Sequence, residues 1–222
     1  MAGGAALKHA TLGALALLAL TTDAAGAQPE LSFYGSAQTP APGLVSGSDP
    51  GGLGDYSFVA GWKRLTEASD LQFGIRLTWW ASDAVGWGLD MSHMPVRADA
   101  ETLSAHGLTS LGFGNGSNTI TLNTWRRWNS GGNINPYVGA GVGISLPRVE
   151  FESAGGRTSQ FEVAGPAIQL YAGASYALND RLSVFGEYKG SFSSSKARLA
   201  NGGTFNTDTL DSAVNIGVSL GF

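Results

Sequence analysis

In the stretch "AIQLYAGASYAL", Ile168, Leu170, Ala172, Ala174, Tyr176 and Leu178 alternate with Gln169, Tyr171, Gly173 and Ser175. Successive side chains of a strand point to opposite faces, so an apolar period of two marks a β-strand and excludes a helical stripe. The same alternation runs through "LQFGIRLTWW", "PYVGAGVGISL", "RLSVFGEYKGSF" and the terminal "SAVNIGVSLGF". A chain that repeats this pattern must build its fold from antiparallel strands, each greasy on one side only.

Alternation alone fits a soluble sandwich, with the apolar face inward, or a membrane barrel, with the apolar face on lipid. The polar face decides between them. It carries many of the 33 glycines, serines and only a few charges, among them Arg76, Glu187 and Lys189. That suits a narrow lumen filled by side chains better than a broad, charged, water-facing surface. Trp79, Trp80, Trp87, Trp125, Trp128, Tyr137 and Tyr176 fall near segment ends, where the aromatic girdles of a barrel belong. Connections alternate as well: 81–86, 129–135 and 178–181 are short, whereas 97–117, 153–163 and 196–208 are long and polar. Short periplasmic turns and longer outer loops produce that rhythm. The fold expected is an all-β transmembrane antiparallel barrel.

Residues 1–27 read as a cleaved secretory signal, with Lys8 and His9 before an apolar run and small residues Ala25 and Ala27 at the processing site. The run from Ala10 to Leu20 is too short to span a bilayer. Residues 28–222 then form the barrel domain, and export with a lipid-facing exterior implies the outer membrane. Phe222, closing the last alternating strand, suits the periplasmic rim and a signal read by the outer-membrane assembly machinery.

Counting strands leaves two candidates, "ELSFYGSAQT" and "DYSFVAGWKRL", for one place. Either both belong to a long, bulged first strand and its lead-in, or 56–80 is a single interrupted strand. Single-chain bacterial barrels have even strand numbers, so eight is expected and ten is the alternative.

Few residues carry readable chemistry. "GAGVG" imitates a dinucleotide loop, but the third glycine of G-x-G-x-x-G would fall on Ile144 and no helix follows. Ser92 and His93 are adjacent and so face opposite sides of a strand, while Ser104 and His106 lie in a long loop. With no Cys and two His after processing, zinc is not expected. A net charge of −4 gives no reason to expect nucleic acid. Arg76, Asp90, Asn123, Arg127, Gln169, Glu187, Lys189 and Asn215 share the inward parity, and charges in a narrow barrel must pair. His93 shares parity with Leu89 and Met91 and is expected to point outward, near the outer end of its strand, where lipopolysaccharide head groups lie.

The segments "PYVGAGVG", "SYALNDRLSVFGEYKG" and "AVNIGVSLGF" resemble small bacterial outer-membrane barrels in general. The order "VSGSDPGG", "FVAGWKR", "IRLTWWASDAVGWGLDMSH", "TWRRW" and "FGEYKGSF" resembles, more narrowly, the alphaproteobacterial lipid A oxidase family. That resemblance implies oxidation of the proximal glucosamine of lipid A to an aminogluconate unit, with molecular oxygen as co-substrate. Lipid A or lipopolysaccharide and outer-membrane lipid would be the partners. It assigns no cofactor, metal or catalytic residue; His93 with Asp90 is the geometric candidate for a catalytic pair. The alternative is a non-enzymatic barrel of OmpA-like or opacity type with a structural or adhesive role.

Overall fold

The computed structural model describes residues 28–63, 71–129, 131–161 and 165–222. The expected signal segment, 1–27, lies outside the described residues. The elements are β1 (Gln28–Pro40), β2 (Gly43–Asp49), β3 (Gly54–Ala60), β4 (Trp62–Lys63), β5 (Phe73–Trp80), β6 (Val85–Ala98), helix α1 (Ala100–Ala105), β7 (Ser110–Arg127), β8 (Ile134–Ser153), β9 (Gly156–Phe161), β10 (Gly165–Ala177), β11 (Leu182–Arg198) and β12 (Thr204–Gly221). Neighbours pair antiparallel in the order β1, β5, β6, β7, β8, β10, β11, β12, and β12 pairs back onto β1. The result is a closed ring of eight strands. Among the described residues no helix is long and apolar enough to cross a membrane.

The two competing candidates for the first strand separate cleanly. "ELSFYGSAQT" lies in β1, and β2 continues the same path along β12, with Pro40 opposite Asp211 and Val45 opposite Thr207. Five steps on one side face four on the other, a bulge placed where Pro40 and Pro42 cannot donate to a ladder. The described part of "DYSFVAGWKRL" belongs to the second strand: β3 pairs with β2, β4 with the outer end of β6, and β5 with β1 and β6. The described parts of 56–80 thus follow the path of the interrupted-strand alternative, and 64–70 lie outside the described residues.

Even-numbered residues of β8, β10, β11 and β12 face outward in the lower part of the ring and are apolar: Val142, Leu170, Tyr188 and Ile216 are 62%, 61%, 55% and 71% exposed. Their odd-numbered neighbours are buried inside. A belt of this kind faces hydrocarbon, and every backbone group within it is paired around the ring. The fold is that of an outer-membrane barrel.

The upper part of the ring departs from expectation. The segments 97–117, 153–161 and 196–208 are built from strand ends, tight turns and the helix α1 rather than long loops, while 162 and 163 lie outside the described residues. β7 begins at Ser110, β8 runs to Ser153 and returns as β9, and β11 passes to β12 through a tight turn in which Leu199 N–H donates to Gly203 O at 2.9 Å. These stretches read as polar because only every second residue is apolar, and the apolar ones now point inward. On β8 the outward positions become Arg148, Glu150 and Glu152 and the inward ones Val149 and Phe151. Together with Val45, Trp62, Val96, Leu111, Phe113 and Phe205 they form an apolar core above the membrane. The parity does not change; the chemistry exchanges faces where the surroundings change from lipid to water.

The expected girdle is also only partly exterior. Trp87, Trp128 and Tyr176 are exposed, and Trp79 stacks on Trp87 with centroids 4.8 Å apart. Trp125 and Tyr137, however, point into the lumen and pack with Tyr34 and Phe185. The glycines opposite them explain how they fit: a Cβ at Gly139 would strike the Trp125 ring, and one at Gly141 would strike Asn123. "GAGVG" is thus a strand thinned to admit its neighbours' side chains.

The boundary between belt and cap is testable. Val142→Arg, within the belt, should cost about 2 to 4 kcal/mol, whereas Glu150→Arg, outward but above it, should cost under about 1 kcal/mol. Urea unfolding of the barrel refolded into lipid vesicles reads both, and equal losses would misplace the boundary.

Candidate functional site

The lumen at the level of the belt is built around Arg76. Its register opposite Asp90 on β6 puts Nε 3.1 Å from Asp90 Oδ2. Across the barrel, Nη1 and Nη2 donate to the two oxygens of Glu187 at 3.0 and 2.7 Å, a bidentate fork. Glu187 also accepts from Tyr137 Oη at 2.7 Å and from Asn215 Nδ2 at 2.9 Å. Tyr34 Oη lies 3.0 Å from both Asp90 oxygens, and Lys189 Nζ lies 3.3 Å from Tyr34 Oη and 3.8 Å from Asp90 Oδ1. The guanidinium is enclosed by the rings of Tyr34, Trp125, Tyr171 and Phe185, with its central carbon 4.8 to 5.7 Å from their centroids.

Two cations and two carboxylates thus neutralise each other inside the ring. Both carboxylates are engaged by several donors, so neither is a free base or nucleophile. Next to the cluster Gln169 donates to Thr119 Oγ1 at 2.9 Å and accepts from Thr121 Oγ1 at 3.0 Å and from Tyr171, while Asn123 donates to Thr121 Oγ1 at 2.9 Å. The inward set expected from parity is therefore inward, and Arg76, Asp90, Glu187 and Lys189 pair as expected.

Below Arg76 the lumen opens to a periplasmic mouth of about 480 Å³ lined by Glu30, Arg127, Asn135 and Arg181. Arg127 sits at its throat, its guanidinium carbon 3.8 Å from the Trp80 centroid and its Nε 2.7 Å from Asp83 O. Between mouth and cluster the free space falls to about 30 Å³, lined by Ser32, Arg76 and Trp125 among others. That is room for about one or two waters, not for a solute.

His93 is half-buried on the outer face, its Nδ1 2.7 Å from Asn118 Oδ1 and its ring 5.1 Å from Phe73. Asp90 is wholly buried on the inner face of the same strand. The structure does not bring this candidate pair together, because residues three apart in a strand lie on opposite faces and the barrel wall separates them. Ser92 Oγ bonds Thr119 Oγ1 in the lumen at 2.7 Å, and His106 stacks on Phe58 with centroids 3.8 Å apart, so neither serine and histidine neighbour forms a dyad. Among the described residues no three His, Cys, Asp or Glu side chains form a group that could hold a metal ion.

One arrangement escaped the sequence reading. Asp49, at the tip of the β2–β3 hairpin, is wholly buried. It accepts from Leu53 N at 2.9 Å, Ser153 Oγ at 2.6 Å and Asn201 Nδ2 at 2.6 Å. Asn201 reaches Pro50 O at 3.0 Å and Gly155 O at 3.3 Å as well. Three outer turns, far apart in sequence, are thereby tied at one carboxylate. "SDPGG", "SAGG" and "NGG" announce turns, but nothing in them announces that they meet.

No family model matches the sequence, and no curated protein matches it. Solved structures do match in fold. The outer-membrane protein OprG from Pseudomonas aeruginosa superposes with a TM-score of 0.54 at 16% identity, covering 89% of this chain and 97% of that one. Neisserial surface protein A gives 0.48 at 14% identity, covering 89% and 98%. At 16% identity the likeness to OprG is one of architecture: a small outer-membrane β-barrel.

The Asp49 knot has a pH signature. Burial pushes its carboxyl up, but the hydrogen bonds from Ser153, the Leu53 amide and Asn201 outweigh burial and hold it below the ordinary value of 3.8. A depressed folded pKa contributes stability above the unfolded value and loses it as pH falls through the folded one. Amide protection factors in the 49–53 and 199–203 turns should therefore hold from neutral pH downward and fall only in strong acid. Asp49→Ala should expose the same turns to proteinase K at neutral pH; an equally resistant variant would sink the assignment.

Proposed function

We propose that this chain is a sealed outer-membrane barrel of the OmpA-like or opacity type, whose role rests on the rigid cap it holds above the membrane. The observation that carries this reading is the Arg76 cluster, which fills the lumen with paired charges and four aromatic rings. An eight-stranded ring is just wide enough to be filled by side chains. The cap adds an apolar core and the Asp49 knot, so the outer surface is a fixed shape suited to structural or adhesive contact. Reconstituted in planar bilayers, the protein should show no steady conductance, and the double variant Arg76→Ala, Glu187→Ala should raise it. Porin-like conductance of the unaltered protein would overturn the proposal.

Oxidation of the proximal glucosamine of lipid A is a second reading, favoured by the position of His93. Its ring lies on the outer face beside Phe73, at the upper edge of the belt, within reach of head groups in the outer leaflet. A site there must open to the membrane, because the lumen admits no disaccharide, and His93 must act without Asp90. Expression under air in a strain lacking such activity should then yield lipid A one oxygen atom heavier, diminished by His93→Ala. Unchanged lipid A leaves the sealed, non-enzymatic barrel.

A further inference from the structure

The outer wall of the belt is hollow at the seam where β1 closes the ring. Gly35 faces outward on β1, with Phe73 opposite it on β5 and Ile216 opposite it on β12. Ile216 in turn stands opposite Gly186 on β11. A Cβ at Gly35 or at Gly186 would meet no atom within 4 Å. These two glycines therefore make no room for a neighbour inside the barrel, as Gly74 and Gly139 do; they leave space outside it. Ile216, with glycine on both sides, is 71% exposed.

The hollow is a groove of about 690 Å³, walled by Phe33, Leu71, Phe73, Val184, Ile216 and Val218. Its volume is that of a small-molecule site. Two side chains along it carry polar atoms, and both are engaged within the protein: Tyr34 Oη donates to Asp90 in the lumen at 3.0 Å, and Gln72 Oε1 accepts from Gln38 N–H at 2.8 Å. What the groove offers a ligand is aliphatic and aromatic surface.

Location names the occupant. The groove lies in the belt, where the surroundings are hydrocarbon and no water is at hand to fill it. A void against apolar atoms forfeits their dispersion contacts, and an extended alkyl chain restores them. The upper end, at Leu71 and Phe73, adjoins the outer rim beside His93, whose ring is 5.1 Å from that of Phe73. From there the groove descends past Gly35 to Val184 and Val218. A chain that enters at the outer rim and runs downward belongs to a lipid of the outer leaflet.

We propose that this groove holds one acyl chain of an outer-leaflet lipid, seated over Gly35 between Phe73 and Ile216, as a retained ligand rather than as part of the fluid annulus. The head group of that lipid then lies on the side of His93, and its retention requires no chemistry there, so the inference stands apart from the oxidation reading.

The test uses protein extracted from outer membranes in a mild detergent and native mass spectrometry. One lipid should stay on each monomer under washing that strips the rest. Gly35→Leu fills the groove without striking the protein and should abolish that adduct, while Gly190→Leu, at an outward glycine outside the groove with equally open space, should keep it. Both variants should still change gel mobility on heating, the mark of a closed barrel. A lipid-free monomer, an adduct undiminished by Gly35→Leu or one lost equally in Gly190→Leu would overturn the proposal. So would a dimer that Gly35→Leu dissociates, because it gives the groove to a second copy of the chain. Should Gly35→Leu fail to assemble, nuclear Overhauser contacts between acyl chains and the methyl groups of the unaltered protein in lipid nanodiscs take its place. Contacts to Ile216 and Val218 should exceed those to Val142 and Leu170, which lie elsewhere on the belt, and equal contacts would overturn the proposal as well.

Discussion

Hydrocarbon offers no partner to a backbone N–H or C=O, and the pairing of β1 with β12 is the answer the rest of this molecule depends on. That seam runs from Glu30 opposite Gly221 to Pro40 opposite Asp211 and leaves no edge within the belt. Closure at eight strands sets the width of the lumen. A lumen this narrow cannot hold side chains from every inward position, so large residues on one strand face glycines on the next, as Trp125 faces Gly139 and Tyr34 faces Gly74. Glycine content, which reads at first as turn chemistry, is in these strands a consequence of the ring.

The seam also explains why the second strand tolerates an interruption. β5 satisfies β1 and β6 inside the belt, where pairing is obligatory. Above it, water can take over the ladder, and β3 and β4 attach to different neighbours, β2 and β6. Irregularity accumulates where water is available: the bulge at Pro40–Pro42, the shift between Met94 and Val96, and that between Phe113 and Ser117 all fall near or above the outer rim.

Much of this was legible in sequence because period-two alternation is a local signal. The strand positions, short lower turns and inward set around Arg76 follow from parity alone, and parity equally separates Asp90 from His93. Contacts that depend on circumference are not local. Arg76 meets Glu187 across 111 positions, and Asp49 meets Asn201 across 152. No spacing in a single sequence encodes those meetings. The inward turn of Trp125 and Tyr137 was hidden for a different reason: an aromatic at a strand end suits an interfacial girdle and a lumen equally, and only the glycine opposite decides. The cap was hidden by composition, because Val149 and Phe151 interleaved with Arg148, Glu150 and Glu152 average to a polar segment.

Polar groups inside the belt and apolar groups inside the cap look like opposite solutions, but both keep the strand register specified. A one-residue slip exchanges the two faces of a strand, and it is penalised only if those faces differ. Within the membrane the outer face must be apolar, so an apolar lumen would have made the two faces alike and the register cheap to lose. Arg76, Asp90, Glu187 and Lys189 remove that degeneracy, since slipping any of their strands would carry a charge into lipid. Above the membrane the outer face is wet and already charged, as at Arg148 and Glu150, so the inner face is free to become Val149, Phe151 and Phe205. The ionic cluster therefore does more than close the lumen. It is the interior that a lipid-facing exterior requires if the chain is to have one structure.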